Sequence, residues 1–86
     1  MIFFLVWPCY ALDFEIYVTR GLAYYKKGEY DKAISDFTEA IKLNPKHADI
    51  YYSRGLAYNI KGQNGNAISD FTKAIKLNPK HADTHQ

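Results

Sequence analysis

The sequence predicts an all-α protein with four main helices, arranged as two helix–turn–helix units that follow one another along the chain. Three observations predict this fold class. The chain repeats itself at a period of 34 residues, its apolar residues recur at helical spacing, and glycine or proline stands where each helix should end. The two copies, residues 14–47 and 48–81, share 23 of 34 residues in register without a gap.

The predicted helices lie near residues 13–27, 31–43, 48–61 and 65–77. The first helix of each unit should end at Gly28 or Gly62, a position that favours the left-handed conformation of a helix cap. The second helix of each unit should end at Asn44-Pro45 or Asn78-Pro79, because a residue that precedes proline is disfavoured in a helix.

Each second helix should begin with a polar cap. Asp31 and Asn64 are predicted to cap these helices through their side-chain oxygens. The turn before the second helix differs between the copies, since residues 29–32 read EYDK and residues 63–66 read QNGN. Gly65 is thereby placed near a helix start, where glycine costs up to about 1 kcal/mol. The change is either a functionally looser turn or drift at a tolerant surface site.

The repeat carries a specific residue pattern. Tyr, Arg, Gly and Tyr of the first helix, Ala and Phe of the second, and the final Pro recur 34 residues apart, at Tyr17, Arg20, Gly21, Tyr24, Ala33, Phe37 and Pro45 and then at Tyr51, Arg54, Gly55, Tyr58, Ala67, Phe71 and Pro79. This pattern closely resembles the tetratricopeptide repeat (TPR), a helix–turn–helix unit that stacks into a solenoid. The resemblance covers residues 14–81, with residues 82–86 as the truncated start of a third repeat. It implies a right-handed solenoid in which small residues such as Gly21 and Ala33 let helices approach closely.

Length and composition indicate one small folded unit with few chemical specialisations. The 86 residues are 48% hydrophobic and 23% charged, as in ordinary globular proteins. A net charge of +2 is too small for the basic face of a nucleic-acid binder, so we expect no nucleic-acid partner. The single cysteine, Cys9, excludes an internal disulfide framework and a cysteine-based zinc site. Aromatic residues make up 16% of the chain, which favours a role in contacts over catalysis.

Residues 1–13 form an apolar N-terminal segment, in which the first charged residue is Asp13. The segment is too short to span a bilayer, which needs about 20 apolar residues, and Pro8 interrupts it, so we expect no membrane span. It partly resembles a secretory signal but lacks a basic leader and is shorter than such signals. We expect it to be buried, either over the first helix of its own chain or against a second copy.

The sequence contains no evident catalytic or metal-binding arrangement. Asp36 and Asp70 recur with the repeat, which is typical of a solvated face or a local hydrogen bond. His81 and His85 have the spacing of metal ligands on a helix, but without a third ligand nearby they are more simply interpreted as turn residues. We therefore expect a non-enzymatic protein with no catalytic residues, no metal site and no cofactor.

The family resemblance implies a protein-binding function. In TPR proteins the first helix of each repeat lines the binding groove, which assigns eight residues of this chain to a partner groove: Val18, Leu22, Tyr25, Lys26, Tyr52, Leu56, Asn59 and Ile60. This mainly apolar set suits a protein or peptide segment of apolar character. The alternative interpretation is that Tyr25, Tyr52 and Leu56 pack between the repeats.

One known mode of TPR recognition is not expected in this chain. A subclass of the family grips the C-terminal carboxylate of heat-shock chaperones with a clamp of Lys, Asn and Arg. The matching positions in the two first helices hold Val18, Leu22 and Ser53, and Asp83 stands where a Lys is required. We therefore expect no carboxylate-clamp binding to chaperones.

Self-assembly is the alternative function. Stable solenoids generally need at least three repeats and a polar terminal helix, whereas only five residues follow residue 81 here. The last helix is then expected to stack on the first helix of another copy, a head-to-tail contact that gives a homo-oligomeric ring or a helical filament. The residues assigned to self-association are Phe3, Phe4, Leu5, Trp7, Ile68, Phe71 and Ile75. No sequence signal identifies a cellular compartment.

Overall fold

A computed structural model of the chain describes residues 9–79. Over this range the chain forms helices and no strands: α1 (Cys9–Lys27), α2 (Tyr30–Leu43), α3 (Ala48–Ile60) and α4 (Asn64–Leu77). Helix α1 pairs with α2, and α3 pairs with α4, while α2 packs against α3 to join the two units. The predicted all-α class of stacked helix–turn–helix repeats is confirmed. Within the described range, no helix combines the length and apolar character needed to cross a membrane.

Helix α1 begins at Cys9, four residues before the predicted start. Residues 9–12 contain no glycine or proline, so nothing in their sequence stops the helix from extending toward the N-terminus. The last part of the predicted apolar segment therefore belongs to α1, and residues 1–8 lie outside the described range.

Both glycine turns have the predicted conformation. Gly28 and Gly62 each have a φ of 84°, in the left-handed region that favours glycine. The amide of Glu29 donates to the carbonyl of Tyr24 at 2.9 Å, and the amide of Gln63 donates to that of Tyr58 at 2.9 Å. These bonds close the ends of α1 and α3 in the manner of a Schellman cap and reverse the chain.

The predicted side-chain caps are wrong. Glu29 and Gln63 occupy the N-cap positions of α2 and α4, and neither makes a side-chain cap hydrogen bond. Because one residue connects each left-handed glycine to the next helix, α2 and α4 start one residue earlier than predicted. Asp31 and Asn64 consequently lie within the first turns. A carboxylate is still favoured at the place of Asp31, since the helix dipole is positive there.

The core lies where α1 and α3 both pack against α2. Phe37 and Ala40 of α2 are fully buried, and Ile50 of α3 is 4% exposed. A Cβ atom added at Gly21 would lie 2.7 Å from Cε1 of Phe37, which is closer than real contacts allow. The close approach predicted at this glycine is therefore confirmed.

Candidate protein-binding and repeat-stacking surfaces

Each repeat contains a buried carboxylate held by an arginine. The guanidinium of Arg20 donates two hydrogen bonds to Asp36, at 2.8 and 2.9 Å, and that of Arg54 donates two to Asp70, both at 2.8 Å. Asp36 and Asp70 are 5% and 4% exposed. The interpretation of these aspartates as a solvated face or a local hydrogen bond is wrong, because each bond joins residues 16 apart in sequence. The available signal was an arginine recurring with the same period.

The arginines connect helices and stay charged. Hydrogen bonding to its partner aspartate raises the pKa of each guanidinium, Arg20 and Arg54 alike, above an already high ordinary value. Arg54 also lies over the rings of Tyr51 and Tyr58, at 5.9 and 5.7 Å from their centroids. Such stacking suits the planar guanidinium. In the first repeat, Arg20 lies over the ring of Tyr17, at 5.6 Å from its centroid.

Arg54 also joins the two repeats, in a contact between α2 and α3 that we call the repeat joint. Its Nη1 donates to Oγ1 of Thr38 at 3.1 Å, and this hydroxyl donates in turn to the carbonyl of Ile34 at 2.7 Å. The hydroxyl of Tyr51 donates to the carbonyl of Pro45 at 3.0 Å. These hydrogen bonds therefore connect particular residues of α3 to α2 and to the turn that follows α2.

The rest of the repeat joint is apolar, with an ion pair at one end. Ile50 and Ala57 of α3 are 4% and 0% exposed. Ile41 of α2 packs against buried residues on both sides of the joint. Lys61 pairs with the exposed carboxylate of Asp31 where α3 ends and α2 begins. The apolar burial contributes most of the stability here, since exposed ion pairs contribute at most about 1 kcal/mol.

The residues predicted for the partner groove form repeat-related pairs on α1 and α3, which contact each other. The pairs are Val18 and Tyr52, Leu22 and Leu56, Tyr25 and Asn59, and Lys26 and Ile60. Their spacing of four, seven and eight residues places each set on one face of its helix. Leu22 and Ile60 are 41% and 50% exposed. Leu56 is half-buried, while Lys26 and Asn59 are exposed.

Three residues of the predicted groove also pack inward. Val18 packs against the buried cluster around Phe37. The ring of Tyr25 meets that of Tyr30 edge-on at 5.4 Å, and the ring of Tyr52 lies 5.5 Å from that of Phe71. Each tyrosine therefore contacts the second helix of its own repeat and keeps only part of its surface open.

Among the residues predicted for self-association, Phe3, Phe4, Leu5 and Trp7 lie outside the described residues. Ile68 and Ile75 are 64% and 43% exposed on α4. Phe71 is half-buried, because its ring fills the space left by Gly55. Its counterpart Phe37 is fully buried, because α3 covers that side of α2. In the described part of the chain, no helix covers the corresponding side of α4.

Two family models match the sequence. One, described as a TPR repeat, matches residues 21–62, and the other, described as a tetratricopeptide repeat, matches residues 48–81. The chain belongs to the tetratricopeptide repeat family. The predicted TPR resemblance is thereby confirmed, and it supports a protein-interaction or scaffold module. TPR proteins are generally non-enzymatic.

Two solved structures have the same fold as this TPR chain. They are described as the crystal structure of MamA and the crystal structure of MamA protein, with TM-scores of 0.74 and 0.72. Both are 37% identical in sequence, and each alignment covers 81% of this chain. The aligned part is 41% and 38% of those chains, so this chain spans about two fifths of their length. No curated protein sequence matches the chain.

The positions that form the TPR carboxylate clamp elsewhere carry no cation in the described helices. Val18 and Ser53 are half-buried and Leu22 is exposed, while Asp83 lies outside the described residues. His81 and His85 also lie outside them. In the described part of the chain, no group of three His, Cys, Asp or Glu side chains is arranged to hold a metal ion.

Proposed function

We propose that this TPR module binds an apolar segment of a protein partner on the face shared by α1 and α3. The observation that carries the proposal is the exposure of Leu22 and Ile60, at 41% and 50%, on two helices that contact each other. Apolar side chains gathered on one exposed surface are typical of interaction sites. The half-buried Leu56 is the α3 counterpart of Leu22 and precedes Ile60 by one helical turn, and we call these three residues the apolar strip.

The chemistry of this strip defines the partner class. An amphipathic helix or an extended segment can place its apolar side chains against Leu22, Leu56 and Ile60. Lys26 and Asn59 are exposed on the same helix faces and can hydrogen-bond to polar groups of the segment. Because the clamp positions carry no cation, a free C-terminal carboxylate is not required. We therefore expect recognition of internal apolar sequence.

Selection from a phage-displayed library of random peptides tests this proposal with the full chain. Fluorescence anisotropy of the selected peptides should show that Leu22→Glu and Ile60→Glu each weaken binding about tenfold or more, a loss of roughly 1.4 kcal/mol. Leu43→Glu is the matched control, since Leu43 is 40% exposed but lies on α2. Amidation of the peptide C-terminus should leave affinity unchanged. Binding that survives both groove substitutions, or that disappears on amidation, contradicts the proposal.

We propose self-assembly as a second function, on the strength of one specific observation. Ile68 and Ile75 of α4 are exposed, whereas their counterparts Ile34 and Ile41 of α2 are partly covered within the repeat joint. A head-to-tail contact between copies would cover this face of α4. Sedimentation of the purified chain across a concentration series should show a mass that rises with concentration. A chain that stays monomeric at high micromolar concentration contradicts this second function.

A further inference from the structure

Resting on the self-assembly proposed above, we propose that the contact between copies reproduces the repeat joint of a single chain. Helix α4 of one copy would occupy the position that α2 has in the repeat joint, and α1 of the next copy would occupy the position of α3. In this arrangement Arg20 of one copy donates to Thr72 of its neighbour, as Arg54 donates to Thr38 within the chain. The occupant of both faces is thus a second copy of the same chain.

The receiving face, which we call the head face, lies on α1. It consists of Ile16, Arg20 and Ala23, which with neighbouring residues line a shallow depression. Ile16 is 52% exposed and Ala23 is exposed, whereas their counterparts Ile50 and Ala57 are 4% and 0% exposed in the repeat joint. The head face therefore repeats, in uncovered form, a surface that the chain buries against its own α2.

The opposite surface, which we call the tail face, lies on α4. It consists of Ile68, Thr72 and Ile75, all of which are exposed. Their counterparts in the repeat joint are Ile34, Thr38 and Ile41, and all three are half-buried there. The residue types are identical at each of the three positions. The chain therefore presents unfilled copies of both halves of a contact that it already forms internally.

The polar groups of the two faces are also matched. Arg20 holds Asp36 through Nε and Nη2, the same two atoms by which Arg54 holds Asp70. Arg54 additionally uses Nη1 to donate to Thr38, and the side chain of Arg20 is 53% exposed on the head face. A partner of unrelated sequence would have to supply a hydroxyl at the same place between two apolar contacts, whereas Thr72 supplies it between Ile68 and Ile75.

One feature of the repeat joint is missing from the tail face. Asp31, which pairs with Lys61 in the repeat joint, is replaced in the second repeat by Gly65. The counterpart of Lys61 on the head face is Lys27, which lies 3.9 Å from Glu29 of its own chain. The contact between copies therefore lacks one ion pair, so it should be weaker than the repeat joint and should dissociate on dilution.

Two complementary variants of the full chain test this arrangement. Ile16→Glu blocks the head face and Ile68→Glu blocks the tail face, and both residues are more than half exposed, so each variant should fold. Each variant alone should remain monomeric by sedimentation. An equimolar mixture should form a heterodimer, because one intact tail face can meet one intact head face. Thr72→Ala should weaken association of the unmodified chain about two- to tenfold, in line with loss of one hydrogen bond.

The outcomes separate this arrangement from the proposals on which it rests. Ile60→Glu, which alters the groove, should leave assembly unchanged. If the unmodified chain associates but the mixture of blocked variants stays monomeric, the arrangement is wrong while self-assembly stands. If the unmodified chain is monomeric, both fail. If deletion of residues 1–8 then allows association, the chain's own N-terminal segment covers the head face instead of a second copy, which likewise overturns the arrangement.

Discussion

At the scale of single residues, Gly21 shows how one missing methyl group sets the spacing between two helices. An added Cβ would lie 2.7 Å from the ring of Phe37, so Gly21→Ala should overpack the core at a cost of about 1–3 kcal/mol. This outweighs the gain of up to about 1 kcal/mol in helix propensity. Urea unfolding should show a net loss of stability. Gly65→Ala is the control, because nothing lies within 4 Å of the added Cβ. A control variant that loses as much stability contradicts the steric explanation.

The two arginine–aspartate pairs have the same geometry but different surroundings. The side chain of Arg54 is 18% exposed, and that of Arg20 is 53% exposed. Asp70→Asn should therefore lower the free energy of unfolding by about 1.5–3 kcal/mol, since Arg54 loses a charged partner where water has little access. Asp36→Asn should cost less, because Arg20 can turn into water. Thermal and urea unfolding of the two variants check the order, and equal losses would refute the role of exposure.

At the scale of helices, the sequence predicts the existence and the type of each element well, but it predicts the helix caps poorly. Gly28 and Gly62 have the predicted left-handed conformation, because no other residue adopts it as easily. The predicted caps at Asp31 and Asn64 are wrong. The N-cap is the residue that directly follows the glycine turn, and side-chain preference does not resolve a difference of one position. The helical period likewise shows which residues share one face of a helix, but not which residue of another helix contacts that face. The pairing of Asp36 with Arg20 was missed for this reason.

The predicted site shows the same limit. Spacing along α1 and α3 places the groove residues on one face of each helix, and periodicity is sufficient for that. It does not give the inward ring contacts of Tyr25 and Tyr52, because these depend on Tyr30 and Phe71 of the partner helices. The sequence alone therefore does not distinguish the exposed Leu22 from its partly buried neighbours, because that distinction depends on how the helices pair.

Helix pairing depends on the small residues of α2 and α4. Ala33 and Ala67 are 0% and 2% exposed, so Ala33→Leu or Ala67→Leu should overpack the paired helices and cost about 1–3 kcal/mol. Ile68→Leu is the control, because Ile68 lies next to Ala67 on α4 but is 64% exposed. Circular dichroism during heating should show a lower melting temperature for the alanine variants only. Tolerance of Leu at both alanine positions contradicts the close-packing explanation.

At the scale of the whole molecule, the repeat joint couples two units that would each be marginal alone. Solenoid stability is approximately the sum of the repeats and the contacts between neighbours. Ile50→Ala removes a buried side chain from that contact and should cost about 2–5 kcal/mol, with hydrogen exchange of α1–α2 becoming separable from that of α3–α4. Ile16→Ala is the control, because Ile16 holds the same position in the first repeat and is 52% exposed. At dilutions where the chain is monomeric, this variant should change the free energy of unfolding by less than about 0.5 kcal/mol. Equal losses for the two variants would mean that position within the repeat, rather than the contact between repeats, determines the stabilisation.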